Sequence, residues 1–155
     1  MLHFAEYESP IGRLLLCSDG KALTCLRFGG EGAYICEDEV LTRVKRWLDA
    51  YFCGNSRPVD FPLAPERTAF QKLVWDLLRE VPYGRTCTYG GLAKEAARRL
   101  GKERMSAQAV GQAVGSNPIG ILIPCHRCIG AKGKLTGYAW GLEKKQWLLD
   151  HEKRD

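Results

Sequence analysis

The sequence predicts an α+β protein in two parts, a small N-terminal sheet covered by one helix and a helical C-terminal part containing a helix-turn-helix. Three observations lead there. The first part runs through strand-like segments and then one amphipathic helix, without the alternation of a doubly wound fold. The proline-bearing stretch Pro58 to Pro65 interrupts regular structure. Beyond it apolar residues recur mainly at helical spacing. At 155 residues, 45% of them hydrophobic and 26% charged, the chain has room for one domain or two small ones, which excludes a solenoid array or a large multidomain enzyme.

Within Phe4 to Phe28, "RLLLCS" and "LTCLRF" flank the turn residues Asp19-Gly20, a hairpin signal. Val40, Leu41, Val44, Trp47, Leu48 and Tyr51 follow at helical spacing, with Gly54 placed to stop the helix, so one helix can cover the sheet. Residues 1–65 therefore read as an α+β scaffold ending in a linker that holds Pro58, Pro62 and Pro65, and residues 66–155 as the second unit. There Thr68 and Gln71 form a capping-box pair ahead of the apolar stripe Phe70, Leu73, Val74, Leu77, Leu78, and Pro82-Tyr83-Gly84 ends the helix. The next helix spans about Tyr89 to Leu100 and stops at Gly101. After a short basic turn, Ser106 caps "AQAVGQAVG", completing a helix-turn-helix.

Charge separates the halves. The net charge is +5, but residues 1–65 carry 7 Lys/Arg and 9 Asp/Glu (−2) while residues 66–155 carry 16 and 9 (+7). Such an asymmetry is expected if the second half alone meets a polyanion. The longest apolar stretch, Ile119 to Pro124, is too short to cross a bilayer, and the first residues lack the layout of an export signal, so a soluble cytoplasmic protein is expected. Seven cysteines, an odd number, then read as reduced thiols rather than a disulfide framework.

Two features carry chemistry. Ala107, Ala109, Gly111, Ala113 and Gly115 leave the last helix of the helix-turn-helix short of long side chains, which suits either close approach of a ligand to its backbone or tight packing on another helix. Apart from Gln108 and Gln112 it offers nothing to read base edges in a major groove. Next, Ile119, Ile121, Leu122 and Ile123 read as a short buried strand that delivers Pro124-Cys125-His126-Arg127. Thiolate is the reactive form of cysteine, and an adjacent imidazole and guanidinium would favour it. A buried inert cysteine is an equally ordinary reading of Cys125. Cys125 and Cys128 also form a C-x-x-C, but zinc would need further ligands than the scattered Cys87 and His151, and a redox dithiol normally opens a helix, whereas "GAKGK" follows here.

"IPCHR", preceded by "AVGQAVGSNP" and followed by "GYAWGLEKKQWLLDHE", resembles the O6-alkylguanine-DNA alkyltransferases over about Phe70 to Glu152. The resemblance implies a ribonuclease H-like N-terminal domain and a winged-helix-like catalytic domain. It implies a monomer with no cofactor, no membrane association and no obligate protein partner. Its substrate would be double-stranded DNA carrying O6-alkylguanine, or O4-alkylthymine, with the damaged base flipped out through the minor groove and its alkyl group moved irreversibly to Cys125. His126 would be the base, acting through water, with Glu152 orienting it, Tyr89 serving the leaving guanine and Asn117 bracing the turn. Substrate and DNA contacts would come from Ala107, Gln108, Ala109, Gly111, Arg127, Cys128, Tyr138, Ala139, Trp140 and Lys145. Three residues depart from the family pattern. Gln108 replaces a frequent arginine and should hold the flipped state less firmly. Trp140 stands where glycine is frequent and should crowd out large alkyl groups. Cys128 replaces an aliphatic residue and could trap Cys125 as a disulfide. His3, Cys17, Cys25 and Cys36 lack a metal-binding spacing, and no metal is expected.

Overall fold

A computed structural model of the chain describes residues 2–29, 35–65, 67–135 and 137–153. These form two compact units: one holds the described residues through Pro65 together with Pro118–Gly120, the other Arg67–Asn117 and Ile121–Lys153. The architecture is the α+β arrangement the sequence predicts.

In the first unit, strands β1 (His3–Ser9), β2 (Gly12–Ser18) and β3 (Leu23–Phe28) form an antiparallel sheet with β2 in the centre. Leu14 to Ser18 of β2 are buried without alternation, as expected where both faces of a strand are covered. Helix α1 (Glu39–Phe52) packs on this sheet through Val40, Leu41, Val44, Leu48 and Tyr51. Its N-cap Asp38 accepts from the Leu41 backbone N–H at 2.9 Å and from the Ser18 hydroxyl at 2.7 Å, so one carboxylate caps the helix and ties it to the central strand. Strand β1 was not separable as its own strand in the sequence pattern. It pairs along its whole length with β2, from His3 opposite Ser18 to Ser9 opposite Gly12. The register between β2 and β3 sets Cys17 opposite Cys25. The proline-bearing stretch is tied to β3, the Leu23 N–H donating to the Pro62 carbonyl and the Ala64 N–H to the Leu23 carbonyl, both at 2.9 Å.

The second unit is built on α2 (Ala69–Arg79), α3 (Tyr89–Leu100) and α4 (Ala107–Gly115). Helices α2 and α4 begin where the sequence places a cap. The Thr68 hydroxyl accepts from the Gln71 N–H at 3.2 Å while the Gln71 carboxamide accepts from the Thr68 N–H at 3.1 Å, and the Ser106 hydroxyl accepts from the Ala109 N–H at 3.1 Å. Gly101 ends α3 with φ +68°, the left-handed conformation that favours glycine. The Trp75 indole donates to the Ala113 carbonyl at 2.8 Å, an approach to the α4 backbone that a long side chain at Ala113 would obstruct. Tight helix packing therefore explains Ala113. Gly115, whose added Cβ would meet no atom within 4 Å, and exposed Ala107 are not explained that way.

Two further elements lie outside what the sequence pattern foretold. Helix α5 (Leu142–Glu152) buries Lys145 and Glu152 together with Leu148 and Leu149, so it carries no apolar stripe. The two-residue strands β4 (Cys87–Thr88) and β5 (Cys128–Ile129) pair in parallel. One expectation is corrected. Ile119 to Ile123 are buried but form no strand: Ile119 makes a single bridge to Leu26, and the chain then turns, with Ile121 at φ +66°. Pro118 and Pro124 deny the segment ladder donors, and its branched apolar residues reflect burial rather than pairing.

Candidate active site

The segment from Ile119 to Cys128 is buried throughout. Its backbone is held by the Asn117 carboxamide, which donates to the Ile123 carbonyl at 2.8 Å, and by the Cys125 N–H, which donates to the same carbonyl at 2.7 Å. Left-handed backbone at a branched residue such as Ile121 costs about 1–3 kcal/mol and persists where surrounding contacts over-determine it. Cys125–Arg127 then form one turn of 3₁₀ helix that sets three functional side chains in succession.

Glu152, in the last turn of α5, organises two of them. One carboxylate oxygen lies 2.6 Å from His126 Nε2 and 3.1 Å from Arg127 Nη2, and the other 2.7 Å from Arg127 Nε. Arg127 also donates through Nη1 to the Val81 carbonyl at 2.8 Å and lies over the Tyr83 ring. The side chains of His126 and Glu152 are 0% and 1% exposed. Gly84, at φ +79°, permits the loop to close on this helix end, since a Cβ there would stand 3.3 Å from the Glu152 carbonyl.

Protonation states follow from these contacts. Burial works to raise the Glu152 carboxyl, but hydrogen bonds from His126 and Arg127 outweigh it and hold the group down to about 2. Burial pushes the His126 imidazole below its ordinary 6.5, outweighing the pull of Glu152, with Arg127 and Lys145 pushing the same way. The pair at neutral pH is thus carboxylate and neutral imidazole. The proton sits on Nε2, facing Glu152, and the lone pair is left on Nδ1. That Nδ1 is buried and has no hydrogen-bond partner among the described residues.

Burial also pushes the Cys125 thiol up, against the Asn117 carboxamide, the charge of Lys145 and the nearby Tyr138 phenol, each of which favours the thiolate. At rest Cys125 is a thiol. This corrects the expectation that His126 and Arg127 draw it toward thiolate: the imidazole is neutral and the guanidinium is paired with Glu152. The cation that acts on Cys125 is Lys145, fully buried on α5. Replacing Lys145 with Met is expected to raise the Cys125 pKa further and slow any reaction of this thiol by about tenfold, the equivalent of one pKa unit. Iodoacetamide modification of Cys125, followed by mass against time, measures it, and an unchanged rate would remove Lys145 from this role.

The remaining predicted residues are distributed as follows. Tyr138 and Trp140 pack edge to face at 5.6 Å between centroids, with Ala139 exposed between them. Tyr89, half-buried at the start of α3, has its ring beside Gly111, where an added Cβ would lie 3.8 Å from Cδ1. On α4, Ala107 and Gln108 are exposed and Ala109 and Gly111 half-buried. Cys128 is fully buried. The structure thus brings Asn117, Tyr138 and Lys145 to the buried Cys125 thiol, and Glu152 to the His126 and Arg127 side chains that follow it in the chain, while the α4 residues form an open helix face. It adds a groove of about 580 Å³ at the α3–α4 turn, lined by Lys94, Arg98, Lys102 and Arg104 among others. The basic turn was visible in the sequence, but the choice of these four side chains required the fold.

A buried cysteine with an oriented neutral base, carried on a helix-turn-helix unit, defines a DNA-directed, thiol-dependent group transferase. Residues 69–154 match the family described as 6-O-methylguanine DNA methyltransferase, DNA binding domain, and residues 2–65 the ribonuclease-like domain of the same family. The methylated-DNA–protein-cysteine methyltransferase of Methanosarcina acetivorans is 45% identical, with 97% of this chain and 98% of that protein covered. That of Haemophilus influenzae is 43% identical, covering 98% and 87%. The crystal structure of the Mycobacterium tuberculosis O6-methylguanine methyltransferase superposes with a TM-score of 0.83 at 41% identity, covering 99% of this chain and 93% of that one. A complex of the M. tuberculosis protein with DNA gives the same TM-score, covering 97% and 92%. The chain belongs to the methylated-DNA–protein-cysteine methyltransferases, enzymes that repair DNA by alkyl transfer.

Proposed function

We propose that this protein takes the alkyl group from O6-alkylguanine, and from O4-alkylthymine, in duplex DNA and keeps it on Cys125, one transfer per molecule, acting as a monomer without a cofactor. The observation that carries this reading is the buried Cys125 thiol among Asn117, Tyr138 and Lys145, next to a neutral His126 whose Nε2 is held by Glu152. In the reaction Cys125 Sγ attacks the alkyl carbon as the carbon–O6 bond breaks, and the bonding electrons pass to the guanine. The thiol proton passes through water to His126 Nδ1, and the Tyr89 phenol supplies the proton the departing base needs. Proton return from His126 through water to the Tyr89 phenolate restores both residues, so the sum is one thioether and one guanine, with one proton moved from sulfur to guanine.

A thiol only 8% exposed cannot reach a base stacked in a duplex, so the lesion must be extruded, at a cost of a few kcal/mol that is smaller for a damaged pair. The open face of α4, with Ala107, Ala109 and Gly111, suits a shallow minor groove, and we assign exposed Gln108 to filling the gap the base leaves. Lys94, Lys102 and Arg104 suit phosphate contacts that carry no sequence preference. That the M. tuberculosis relative has been crystallised with DNA supports the same partner here. We assign Arg127 to holding Glu152 rather than to DNA, and Lys145 to the thiol. Tyr138, Ala139, the Cys128 backbone and Trp140 are assigned to the base pocket.

The test is to incubate the protein with duplex DNA containing O6-methylguanine, digest with trypsin and weigh the peptide Met105–Arg127, which holds Cys125 alone. One added methyl, absent from Cys125→Ser, is expected. An unmodified peptide from protein that holds the DNA would make it a binder of alkylated DNA instead. With O6-benzylguanine DNA, transfer is expected to be slow and to quicken in Trp140→Gly; equal benzyl transfer in both would remove Trp140 from the pocket.

A further inference from the structure

Alkyl transfer consumes one thiol and leaves the others unexplained. Two of these meet beside the site. Strands β4 and β5 pair in parallel with Cys87 directly opposite Cys128. Paired strands stand about 4.7–4.9 Å apart, inside the roughly 4.4–6.8 Å between Cα atoms that a disulfide spans. The thiols hydrogen-bond to each other. Cys87 lies two residues before Tyr89 and Cys128 three after Cys125, so a bond between them would join the segments that carry the tyrosine and the acceptor while consuming neither.

The two thiols are unequal. Cys87 is half-buried, whereas Cys128 is fully enclosed. The hydrogen bond donated by Cys128 lowers the Cys87 pKa against the effect of burial, and the charges of Lys145 and Arg127 lower it further. Cys128, as donor, is pushed up. Cys125 is also pushed up, by burial. A small oxidant therefore finds its most nucleophilic accessible sulfur of these three at Cys87.

We propose that Cys87 and Cys128 are a peroxide-responsive dithiol that closes to a disulfide and leaves the acceptor Cys125 reduced. The oxidant is hydrogen peroxide. Cys87 sulfur attacks the peroxide oxygen, the O–O bond breaks, and a sulfenic acid and one water form. Cys128 sulfur then attacks the Cys87 sulfur, the S–O bond breaks, and the second water leaves, with its protons drawn from the two thiols and the peroxide. Two thiols lose two electrons in all, and the peroxide gains them. The sequence pattern alone paired Cys128 with Cys125, but the strand register turns Cys128 toward Cys87 instead.

Trypsin separates the three cysteines into Thr86–Lys94, Met105–Arg127 and Cys128–Lys132, so every pairing has its own mass. Reduced full-length protein is treated with one equivalent of hydrogen peroxide without DNA, the remaining thiols are blocked with iodoacetamide, and the digest is weighed. The expected product links Thr86–Lys94 to Cys128–Lys132, reverts with dithiothreitol, and leaves Cys125 blocked as a free thiol. Cys87→Val, which suits a strand, and Cys87→Ser as a second variant should transfer methyl normally before oxidation. Both should then lose transfer at a several-fold lower peroxide dose than wild type. A link between Cys125 and Cys128, oxidation of Cys125 at the same dose, absence of the Cys87 link, or equal peroxide sensitivity of wild type and both variants would overturn the proposal. The link is read without DNA, so its failure is distinct from a failure of alkyl transfer, on which the protective role rests.

Discussion

His126→Gln is expected to lower the single-turnover rate of methyl transfer by about 10²–10⁴-fold, the usual contribution of a positioned general base, while leaving affinity for duplex DNA unchanged. Glutamine retains an N–H that can donate to Glu152, so the buried carboxylate keeps a partner; what is lost is the lone pair on Nδ1. The pH profile separates this role from a structural one. Burial holds the His126 pKa below 6.5, so in wild type the base is already neutral at pH 7. Its rate constant should be level between about pH 7 and 8 and decline only below 6.5. In the variant no base takes the proton, and Cys125, whose pKa lies above the ordinary 9.0, must ionise unaided. The variant rate should therefore climb through that range by about tenfold per pH unit. Quenched-flow measurement of Cys125 methylation from pH 5.5 to 9 checks both limbs. Parallel profiles for the two proteins would exclude His126 as the base.

The parts of this logic that the sequence disclosed are those set by neighbours along the chain. Thr68 with Gln71, Ser106, and Gly101 fixed the starts of α2 and α4 and the end of α3, because caps act within one helical turn. The Cys125–His126 pair was visible for the same reason. Its ionisation was not, since Glu152 and Lys145 come from α5, a helix whose burial of charge erased the apolar stripe that would have announced it. Two-residue strands leave no periodicity, so the meeting of Cys87 with Cys128 was hidden too. Ile119 to Ile123 misled in the opposite direction: composition suited to a strand served a buried turn. The resemblance supplied Glu152 and Asn117 as site residues, and the geometry gave each a specific partner.

Glu152→Ala is expected to destabilise the protein by about 3–5 kcal/mol at pH 7, because removing the carboxylate leaves the Arg127 guanidinium buried without a counter-charge. Only the Val81 carbonyl and the Tyr83 ring would still face it among the contacts described above. Against a total of about 5–15 kcal/mol for a typical domain, that loss threatens folding itself. Acid should remove the same stabilisation from wild type. A carboxyl held at about 2, against an ordinary 4.5, contributes stability that is fully present above pH 4.5 and fades as pH falls toward 2. The shift corresponds to about 3 kcal/mol. His126 adds to the loss on acidification, since its depressed pKa means that the unfolded chain takes up a proton below pH 6.5 before the folded one does. Urea denaturation at pH 7, 5 and 3 should therefore show wild-type stability falling at each step, with the gap to Glu152→Ala widest at pH 7 and narrowing below 4.5. The double variant Arg127→Leu/Glu152→Leu, which removes both charges, should recover much of the stability. It should not recover transfer, because His126 Nε2 would have lost the carboxylate that fixes its proton and leaves Nδ1 free. A double variant as unstable as Glu152→Ala would show that the loss comes from packing at the end of α5 rather than from the unpaired charge.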